Sequence, residues 1–211
     1  FYSNEFFVNS FVLDPRPESE LIVDIILKKV KKDGSEKLKL LELGLGSACL
    51  IISIVNQLSN KKIEALGVDI SEKALEIAKK NIEKFSLNKK ISIKKSNWFS
   101  NIKGKFDIIV SNPPYIKKSM IKNLDLDVRL YDPVISLDGG QSGLQAFHCI
   151  ARGVSKHLKK NGIICLEIGF GQFRSVNKIF EENGFKCVLK EKDLQGIVRV
   201  VVYKYKNLKV R

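Results

Sequence analysis

The sequence contains few of the residues from which metal and redox sites are built. Its 211 residues include only two histidines and four cysteines, and no Cys-x-x-Cys pair occurs among Cys49, Cys149, Cys165 and Cys187. This spacing predicts neither a zinc site nor a disulfide framework, and we expect no metal. Because free thiols persist in reducing compartments, the cysteine usage predicts a cytoplasmic protein.

The sequence also lacks a long apolar run. No stretch approaches the ~18 consecutive apolar residues from which a membrane-spanning helix is recognised, so we expect no membrane partner. Apolar residues make up 44% of the chain and charged residues 28%, which excludes a collagen-like, low-complexity or wholly disordered protein. A chain of this length can form one domain with a full apolar core.

Positive charge is the strongest bias of the composition. Lysine and arginine number 37 against 23 acidic residues, which gives a formal net charge of +14. Such an excess is one sign of a nucleic-acid-binding protein. The lysines are nevertheless scattered in short runs without an arginine-rich stripe, which favours a solvated, solubilising surface, and a polyanion footprint stays open as the alternative.

The apolar pattern predicts strands that alternate with helices. Strands are expected at 39–43, 63–68, 91–93, 106–110, 162–168, 185–190 and 197–203, and helices at 20–29, 48–58, 142–158 and 172–183 and after Ser71. This order predicts an α/β, Rossmann-like fold with a mostly parallel, seven-stranded sheet. The last two strands have only a short link, so we expect one antiparallel strand near the edge. Residues 112–141 show no clear periodicity, which is typical of a functional loop.

A glycine-rich turn follows the first predicted strand. It comprises Gly44, Leu45, Gly46, Ser47 and Ala48 and leads directly into a helix. Glycine lets the backbone approach a ligand closely at the carboxyl ends of the strands. The second strand ends at Asp69, 23 residues after Gly46, where a carboxylate can accept hydrogen bonds from ribose hydroxyls. Together these features predict a site for an adenosine-containing ligand.

The ligand is further defined by a break in the dinucleotide fingerprint. The pattern Gly-x-Gly-x-x-Gly would begin at Gly44, but its third glycine is replaced by Cys49. S-adenosylmethionine carries no phosphate, so the broken fingerprint favours this cofactor over a dinucleotide. Trp98, which follows the third strand, is placed to stack on adenine, and a core position for it is the alternative.

The most specific signal is the run Asn112-Pro113-Pro114-Tyr115 after the fourth strand. It resembles the motif of methyltransferases that act on planar, conjugated nitrogens, namely adenine N6, guanine N2 or a glutamine amide. Such a nitrogen is a poor nucleophile because its lone pair is delocalised. The alternative interpretation is a proline pair that only ends the strand beside a core tyrosine.

The chemistry of this motif assigns a role to each of its residues. The Asn112 side-chain oxygen and the Pro113 carbonyl can accept from the two N–H groups of an amide, and the prolines hold both acceptors in place. The Tyr115 ring can lie against the flat group and align its nitrogen with the sulfonium methyl. We predict Asn112, Pro113 and Tyr115 as catalytic residues and the whole motif, including Pro114, as substrate-binding residues.

Further motifs extend this likeness along the chain, and the sequence resembles the HemK/PrmC family of protein-(glutamine-N5) methyltransferases. They are Phe6-Phe7-Val8, Leu13-Asp14-Pro15-Arg16-Pro17-Glu18-Ser19-Glu20, Ser96-Asn97-Trp98-Phe99, Asp127-Val128-Arg129, Asp132-Pro133, Asp138-Gly139-Gly140 and Gly196-Ile197-Val198-Arg199-Val200. The resemblance implies a class I methyltransferase that uses S-adenosylmethionine, releases S-adenosylhomocysteine, and modifies the glutamine of the Gly-Gly-Gln motif in bacterial peptide chain release factors.

The resemblance also implies roles for individual residues. Residues 44–48, Asp69, Trp98 and Asn112 would contact the cofactor, while Arg16, Glu18 and Glu20 would line its methionine side or form a clamp of ion pairs. Residues 1–30 would form a lead-in and helix packed on a methyltransferase domain of residues 31–211. We expect a monomer with a protein substrate and no direct nucleic-acid substrate.

Three departures from the family pattern bear on these expectations. Ala48 stands where glycine is common, which should narrow the site, and Asn97 stands where aspartate is usual, which should alter the contact with adenine. The helical N-terminal domain with which most members grip the release factor is not recognised, which affects substrate affinity rather than chemistry.

Two rival targets and a non-enzymatic role stay open. Residues 112–141 contain four basic and four acidic residues, whereas a mouth that binds nucleic acid should be basic, so adenine or guanine methylation is disfavoured. Glutamine methylation of a ribosomal protein is a second alternative. A fold that binds the cofactor without turnover is the third.

Overall fold

The computed structural model describes residues 1–33 and 37–206. The strands of this part are β1 (Lys37–Leu43), β2 (Lys62–Asp69), β3 (Ile91–Lys95), β4 (Phe106–Ser111), β5 (Leu158–Glu167), β6 (Phe185–Lys192) and β7 (Val198–Tyr205). The helices are α1 (Glu20–Asp33), α2 (Cys49–Gln57), α3 (Glu72–Lys84), α4 (Leu126–Tyr131), α5 (Val134–Leu137), α6 (Gln145–His157) and α7 (Phe173–Glu182).

The described strands form one seven-stranded sheet in the order β3-β2-β1-β4-β5-β7-β6. The pairs β2–β3, β1–β2, β1–β4 and β4–β5 are parallel, and β7 runs antiparallel to both β5 and β6. The α/β class, the mostly parallel sheet and the single reversed strand near the edge are therefore confirmed.

Helices cover both faces of this sheet, which explains why its central strands contain consecutive apolar residues, such as Leu40-Leu41 in β1 and Ile108-Ile109-Val110 in β4. Leu40 of β1 packs in a cluster with residues of α1, α2 and α3, whereas its neighbour Leu41 packs with α6 and α7. Adjacent residues of a strand point to opposite faces, so a strand buried on both sides needs consecutive apolar residues rather than an alternating pattern.

The structure differs from the predicted elements mainly in two places. The long segment after β4 contains a 3-10 helix at Lys118–Asn123 as well as α4 and α5. Strand β5 begins at Leu158, four residues before the predicted start, and its first residues include Lys159, Lys160 and Asn161. These polar residues fall in a register shift, because Phe106 of β4 pairs with Leu158 whereas Ile108 pairs with Ile163, and side-chain hydropathy does not signal such an irregularity.

The division into residues 1–30 and 31–211 stays a prediction. Helix α1 continues through residue 30 to Asp33, and residues 34–36 and 207–211 of the second region lie outside the described residues. Within the described ranges no helix is both long and apolar enough to cross a membrane. The four cysteines are free thiols, and this same part of the chain holds no group of three metal-ligating side chains.

Candidate active site

A cavity of about 680 Å³ lies where the chain reverses its order of strands across the sheet. Its wall includes Glu42 near the end of β1, Asp69 at the end of β2 and Asn112 just after β4. Ligands of open α/β sheets bind at such a switch point, outside the carboxyl ends of the strands. The fold therefore brings the glycine-rich turn and the run that begins at Asn112 to a single site, although 64 residues separate Ala48 from Asn112 in the sequence.

Most of the predicted site residues line this cavity. Those that do are Gly44, Leu45, Gly46, Ser47, Asp69, Trp98, Asn112 and Pro114. Ala48, Pro113 and Tyr115 are not part of its wall. Ala48 is fully buried in the hydrophobic core, so its methyl group does not narrow the cavity as the departure from glycine suggested.

The glycine-rich turn depends on left-handed backbone conformations. Gly44 and Gly46 have φ angles of +70° and +52°, and a Cβ atom added to either would meet nothing within 4 Å. The backbone is thus open to the cavity at both positions. The turn is held against the neighbouring strand by the Leu45 amide, which donates to the Val68 carbonyl at 2.9 Å.

Asp69 is oriented by two main-chain hydrogen bonds. Its Oδ2 accepts from the Gly46 amide and its Oδ1 from the Ser71 amide, each at 2.9 Å. A carboxylate oxygen can accept more than one hydrogen bond, so both atoms keep capacity for a ligand. The predicted ribose-binding carboxylate and the glycine-rich turn are therefore parts of one hydrogen-bonded unit.

Glu42 is a buried carboxyl group that the sequence prediction did not assign. Its Oε2 accepts from the Ile51 amide in the first turn of α2 at 3.0 Å, which satisfies a helix N-terminus that Ala48 leaves without a side-chain cap. Burial raises the pKa of Glu42 well above its usual value, with a smaller contribution from the charge of Asp69. Glu42 thus stabilises the turn and presents a polar group to the cavity.

Trp98 lies between the hydrophobic core and the cavity, so its stacking on adenine stays a prediction. It is half-buried, packs against the core cluster of α6 and α7, and also lines the cavity. It adopts a left-handed conformation with φ of +51°, and its carbonyl accepts from the Ser96 hydroxyl at 2.8 Å. Asn97 is exposed at the same edge of the cavity.

The N-terminal segment closes one side of the cavity through a contact with the long segment after β4. Arg16 Nη2 forms an ion pair with Asp132 Oδ2, and Asp132 Oδ1 accepts from the Asp14 amide at 3.1 Å. Arg16 lines the cavity, whereas Glu18 and Glu20 do not, and Glu20 accepts from the Tyr2 amide. Of Arg16, Glu18 and Glu20, only Arg16 both lines the cavity and forms an ion pair within the described residues.

Both predicted acceptors of the Asn112 motif are left without protein donors. The Asn112 side chain donates from Nδ2 to the Ser19 hydroxyl at 3.0 Å. Within the described ranges, nothing donates to Asn112 Oδ1 or to the carbonyl oxygen of Pro113. Asn112 lines the cavity, where an acceptor without a partner is suited to a ligand that carries N–H groups, whereas Pro113 is buried and is not part of the wall.

Tyr115 and Glu167 form the second half of the same network. The Tyr115 hydroxyl donates to Glu167 Oε1 at 3.1 Å, and the Ser19 hydroxyl donates to Glu167 Oε2. Burial raises the pKa of Glu167 to about 6, against the lowering effect of these two hydrogen bonds and of the Arg199 cation. Burial and the Glu167 charge also raise the pKa of Tyr115 above its usual value.

The main chain of Tyr115 is fixed by Gln172. Gln172 Nε2 donates to the carbonyls of Tyr115 and Gly143 at 2.9 and 3.1 Å, while its Oε1 accepts from the Gly169 amide at 2.9 Å. One side chain therefore ties the predicted catalytic motif to the segment after β5 and to the turn before α6.

Ser19, Glu42, Glu167 and Gln172 were not assigned roles from the sequence. A signal existed for Glu167, because it is a lone carboxylate within the apolar run Ile163–Ile168 at the end of a strand, as Asp69 is at the end of β2. The contacts of Ser19 and Gln172 span 93 and 57 residues, and no local pattern predicts them.

Comparison with known proteins agrees with this architecture. A family model described as "Methyltransferase small domain" matches residues 19–190. The release factor glutamine methyltransferase of Agrobacterium fabrum is 37% identical over 206 residues, which cover 97% of this chain and 71% of that protein. A bifunctional methyltransferase of Rickettsia felis is 40% identical over 99% of this chain, which spans only 44% of its length.

Solved structures share the fold at low sequence identity. A ribosomal protein L11 methylase from Lactobacillus delbrueckii subsp. bulgaricus aligns with a TM-score of 0.66 at 18% identity, over 92% of this chain and 82% of that one. A methyltransferase from Pyrococcus furiosus aligns with a TM-score of 0.67, also at 18% identity, over 94% and 87% of the two chains.

Proposed function

The chain belongs to the release factor glutamine methyltransferase family, and on this premise we propose that it transfers a methyl group from S-adenosylmethionine to the side-chain amide nitrogen of a glutamine in a bacterial peptide chain release factor. The glutamine is that of the Gly-Gly-Gln motif. The chain spans less than half the length of the bifunctional relative from Rickettsia felis, so the activity, substrate and partners of the longer protein are part of the proposal.

A single observation carries the assignment to an amide substrate. Within the described residues, Asn112 Oδ1 and the Pro113 carbonyl are unpartnered acceptors on consecutive positions of the Asn-Pro-Pro segment, in which Asn112 and Pro114 line the cavity and Pro113 is buried between them in the chain. A primary amide has two N–H groups in one plane, which is what two fixed acceptors can bind. Acceptors bound to the N–H groups also stabilise the positive charge that develops on nitrogen during transfer, and loss of one N–H proton then gives the neutral methylated amide.

The residues around the cavity fit S-adenosylmethionine. The cavity has the size of small-molecule sites, which run from roughly 300 to 1,000 Å³. Asp69 keeps acceptor capacity for ribose hydroxyls, the open backbone at Gly44 and Gly46 allows close approach, and Trp98 offers an aromatic face for adenine. When bound, S-adenosylmethionine supplies an electrophilic methyl group on a positively charged sulfur.

The chain's own residues then bind and orient the substrate amide. Asn112 and Pro113 hold its N–H groups, Pro114 contributes a wall of the cavity, and Tyr115 orients the flat group while Gln172 fixes the Tyr115 main chain. Ala48 supports the turn from the core side, because its amide donates to the Leu45 carbonyl at 2.8 Å. Positioning of this kind is a large part of catalysis when the nucleophile is weak.

The surface beside the cavity favours a protein substrate over nucleic acid. The segment after β4 exposes several large apolar side chains, Met120, Leu126, Leu130, Tyr131, Val134 and Ile135. Clustered exposed apolar side chains are typical of protein-binding surfaces, whereas a nucleic-acid site requires a cationic one. A cytoplasmic location and a monomeric state stay predictions.

The proposal is tested by methyl transfer to several substrate classes in parallel. The protein is incubated with methyl-labelled S-adenosylmethionine and, separately, with purified release factors, ribosomal proteins, ribosomal RNA and DNA. We expect label in release factors with the native protein and not with Asn112→Ala. Label confined to ribosomal proteins, to RNA or to DNA, or cofactor binding without transfer to any of them, would replace this function by the corresponding alternative.

A further inference from the structure

We propose that Glu167 is a positioning residue, whose carboxylate acts through the Ser19 hydroxyl to hold the Asn112 amide with its Oδ1 free for the substrate. This inference rests on the proposed role of Asn112 as an acceptor for a glutamine amide. Neither Ser19 nor Glu167 lies in the Asn112 motif itself, and they come from opposite ends of the chain.

The fold places the three side chains in one row. Leu166 of β5 pairs with Ser111 of β4, so Glu167 lies one step further along, next to the position where Asn112 leaves the sheet. Ser19 ends the 3-10 helix Pro17–Ser19 that precedes α1. Ser19 and Glu167 are 3% and 1% exposed, so water does not compete for their hydrogen bonds.

The direction of each hydrogen bond in this row follows from the charge on Glu167. An ionised carboxylate can only accept, so the Ser19 and Tyr115 hydroxyls both donate to it. The single proton of the Ser19 hydroxyl is then used, and toward Asn112 this oxygen can only accept.

The orientation of Asn112 follows from that constraint. Only Nδ2 of an asparagine amide can donate, and Nδ2 is the atom found 3.0 Å from Ser19 Oγ. Because the amide is planar, fixing Nδ2 also fixes Oδ1 on the opposite side. The Asn112 amide has nearly the same shape when Nδ2 and Oδ1 exchange places. In the exchanged orientation Oδ1 would face a lone pair of Ser19 Oγ, which is repulsive, so the network selects the orientation in which Nδ2 faces Ser19.

Protonation of Glu167 removes this selection. A neutral carboxyl group can itself donate to Ser19, and the Ser19 hydroxyl can then donate to Asn112 Oδ1, which occupies the acceptor that the substrate needs.

The charged and titratable groups that act on Glu167 are Tyr115, Arg199 on β7 and Glu18 beside Ser19. Arg199 Nε also donates to Asp193 at 2.8 Å, which keeps this cation in place. Burial raises the pKa of Glu167 to about 6, so the switch lies just below neutral pH.

The competing interpretation is that the network only ties the N-terminal segment to the sheet. In that case removal of the Ser19 hydroxyl would lower stability, and turnover of the folded protein would keep its value and its pH dependence. The two interpretations therefore differ in kcat and in the pH profile rather than in the melting temperature.

The experiment compares Ser19→Ala and Glu167→Gln with the native protein, with Ser53→Ala as the control. Ser53 is also a buried serine, but it lies in the centre of α2 and is not part of the cavity wall, and within the described residues its hydroxyl has no hydrogen-bond partner. We expect kcat for release factor methylation to fall about ten-fold or more in Ser19→Ala and Glu167→Gln, with cofactor affinity unchanged and Ser53→Ala equal to the native protein. The native protein should lose activity as the pH falls through about 6, and Glu167→Gln should lack that step.

A second measurement tests the inference without activity. In ¹H–¹⁵N spectra of the native protein, the side-chain NH₂ signals of Asn112 should shift with pH around the pKa of Glu167 and should be insensitive to pH in Glu167→Gln. A native kcat and pH profile in Ser19→Ala, or Asn112 signals that do not respond to pH in the native protein, would overturn the inference. If the native protein methylates no release factor, the proposed function fails and the Asn112 signals still decide the role of Glu167.

Discussion

The main-chain amide of Gly46 donates to Oδ2 of Asp69 across a distance of 2.9 Å. The residue that allows close approach of the backbone and the carboxylate predicted to bind ribose are therefore in direct contact, although 23 residues separate them in the chain. The other oxygen of Asp69 accepts from the Ser71 amide at the start of α3. The carboxylate is thus held in one orientation before any ligand arrives, which lowers the entropic cost of binding.

Replacement of Asp69 tests its role as a ribose acceptor. Asp69→Ala removes both carboxylate oxygens, and we expect the affinity for S-adenosylmethionine to fall by roughly 10- to 100-fold, since hydrogen bonds to a charged group are worth about 1.5–3 kcal/mol each. Isothermal calorimetry measures this change. The affinity of Asp69→Asn, which keeps one acceptor oxygen, should lie between those of the native protein and Asp69→Ala. An affinity equal to that of the native protein would remove the ribose assignment.

Replacement of Asn112 tests the two-acceptor site. Asn112→Ala deletes one of the two acceptors for the substrate amide, so we expect kcat to fall by roughly 10²–10³-fold, the usual loss when one preorganised electrostatic group is removed. Cofactor affinity should be largely retained. Steady-state kinetics with a release factor, together with calorimetry of the cofactor, separate the two effects, and an unaltered kcat would exclude Asn112 from the mechanism.

A glycine-to-alanine change separates two functions of the turn. Gly46→Ala adds a methyl group at a φ of +52°, which costs roughly 1–2 kcal/mol of stability, and places that group at the cavity, where it should also weaken cofactor binding. Gly184→Ala is the matched control, because Gly184 has a φ of +85°, has open space around its Cβ position and is not part of the cavity wall. Equal effects of the two variants on cofactor affinity would mean that Gly46 serves only the turn.

The buried carboxyl group of Glu167 makes stability depend on pH. Its pKa is raised from an ordinary value of 4.5 to about 6, so its contribution to stability is complete below pH 4.5 and is lost as the pH rises through 6. Relative to Glu167→Gln, the native protein should therefore lose about 2 kcal/mol of unfolding free energy between pH 4.5 and pH 7. Urea unfolding of both proteins across this range measures the difference. A constant difference would show that the carboxyl group is not perturbed.

The sequence predicts the fold and the location of the site because both depend on local patterns. Apolar runs such as Ile108-Ile109-Val110 identify buried strands, and residues that directly follow such strands, Gly44 and Asn112 among them, must meet at one edge of a parallel sheet. The alternation of helices and strands then fixes the topology.

The parts that sequence patterns did not predict depend on contacts between distant segments. Ser19 donates to Glu167, and Asn81 of α3 bonds to both the Phe7 main chain and the Ser47 carbonyl, but no spacing or periodicity relates these partners. In the sequence alone, these serine and asparagine residues cannot be distinguished from other polar residues. The helices within residues 112–141 were missed because they are only four to six residues long, which is too short for a helical period of apolar residues to be recognised.

The central claim is that a glutamine amide nitrogen receives the methyl group, and mass spectrometry of the product tests it most directly. A release factor incubated with the protein and S-adenosylmethionine is digested, and the peptide that contains Gly-Gly-Gln is fragmented. We predict a gain of one methyl group on the glutamine side chain of that motif and none when the motif glutamine of the release factor is replaced by alanine. A methyl group on any other atom of the release factor, or an unmodified peptide despite bound cofactor, would contradict the account.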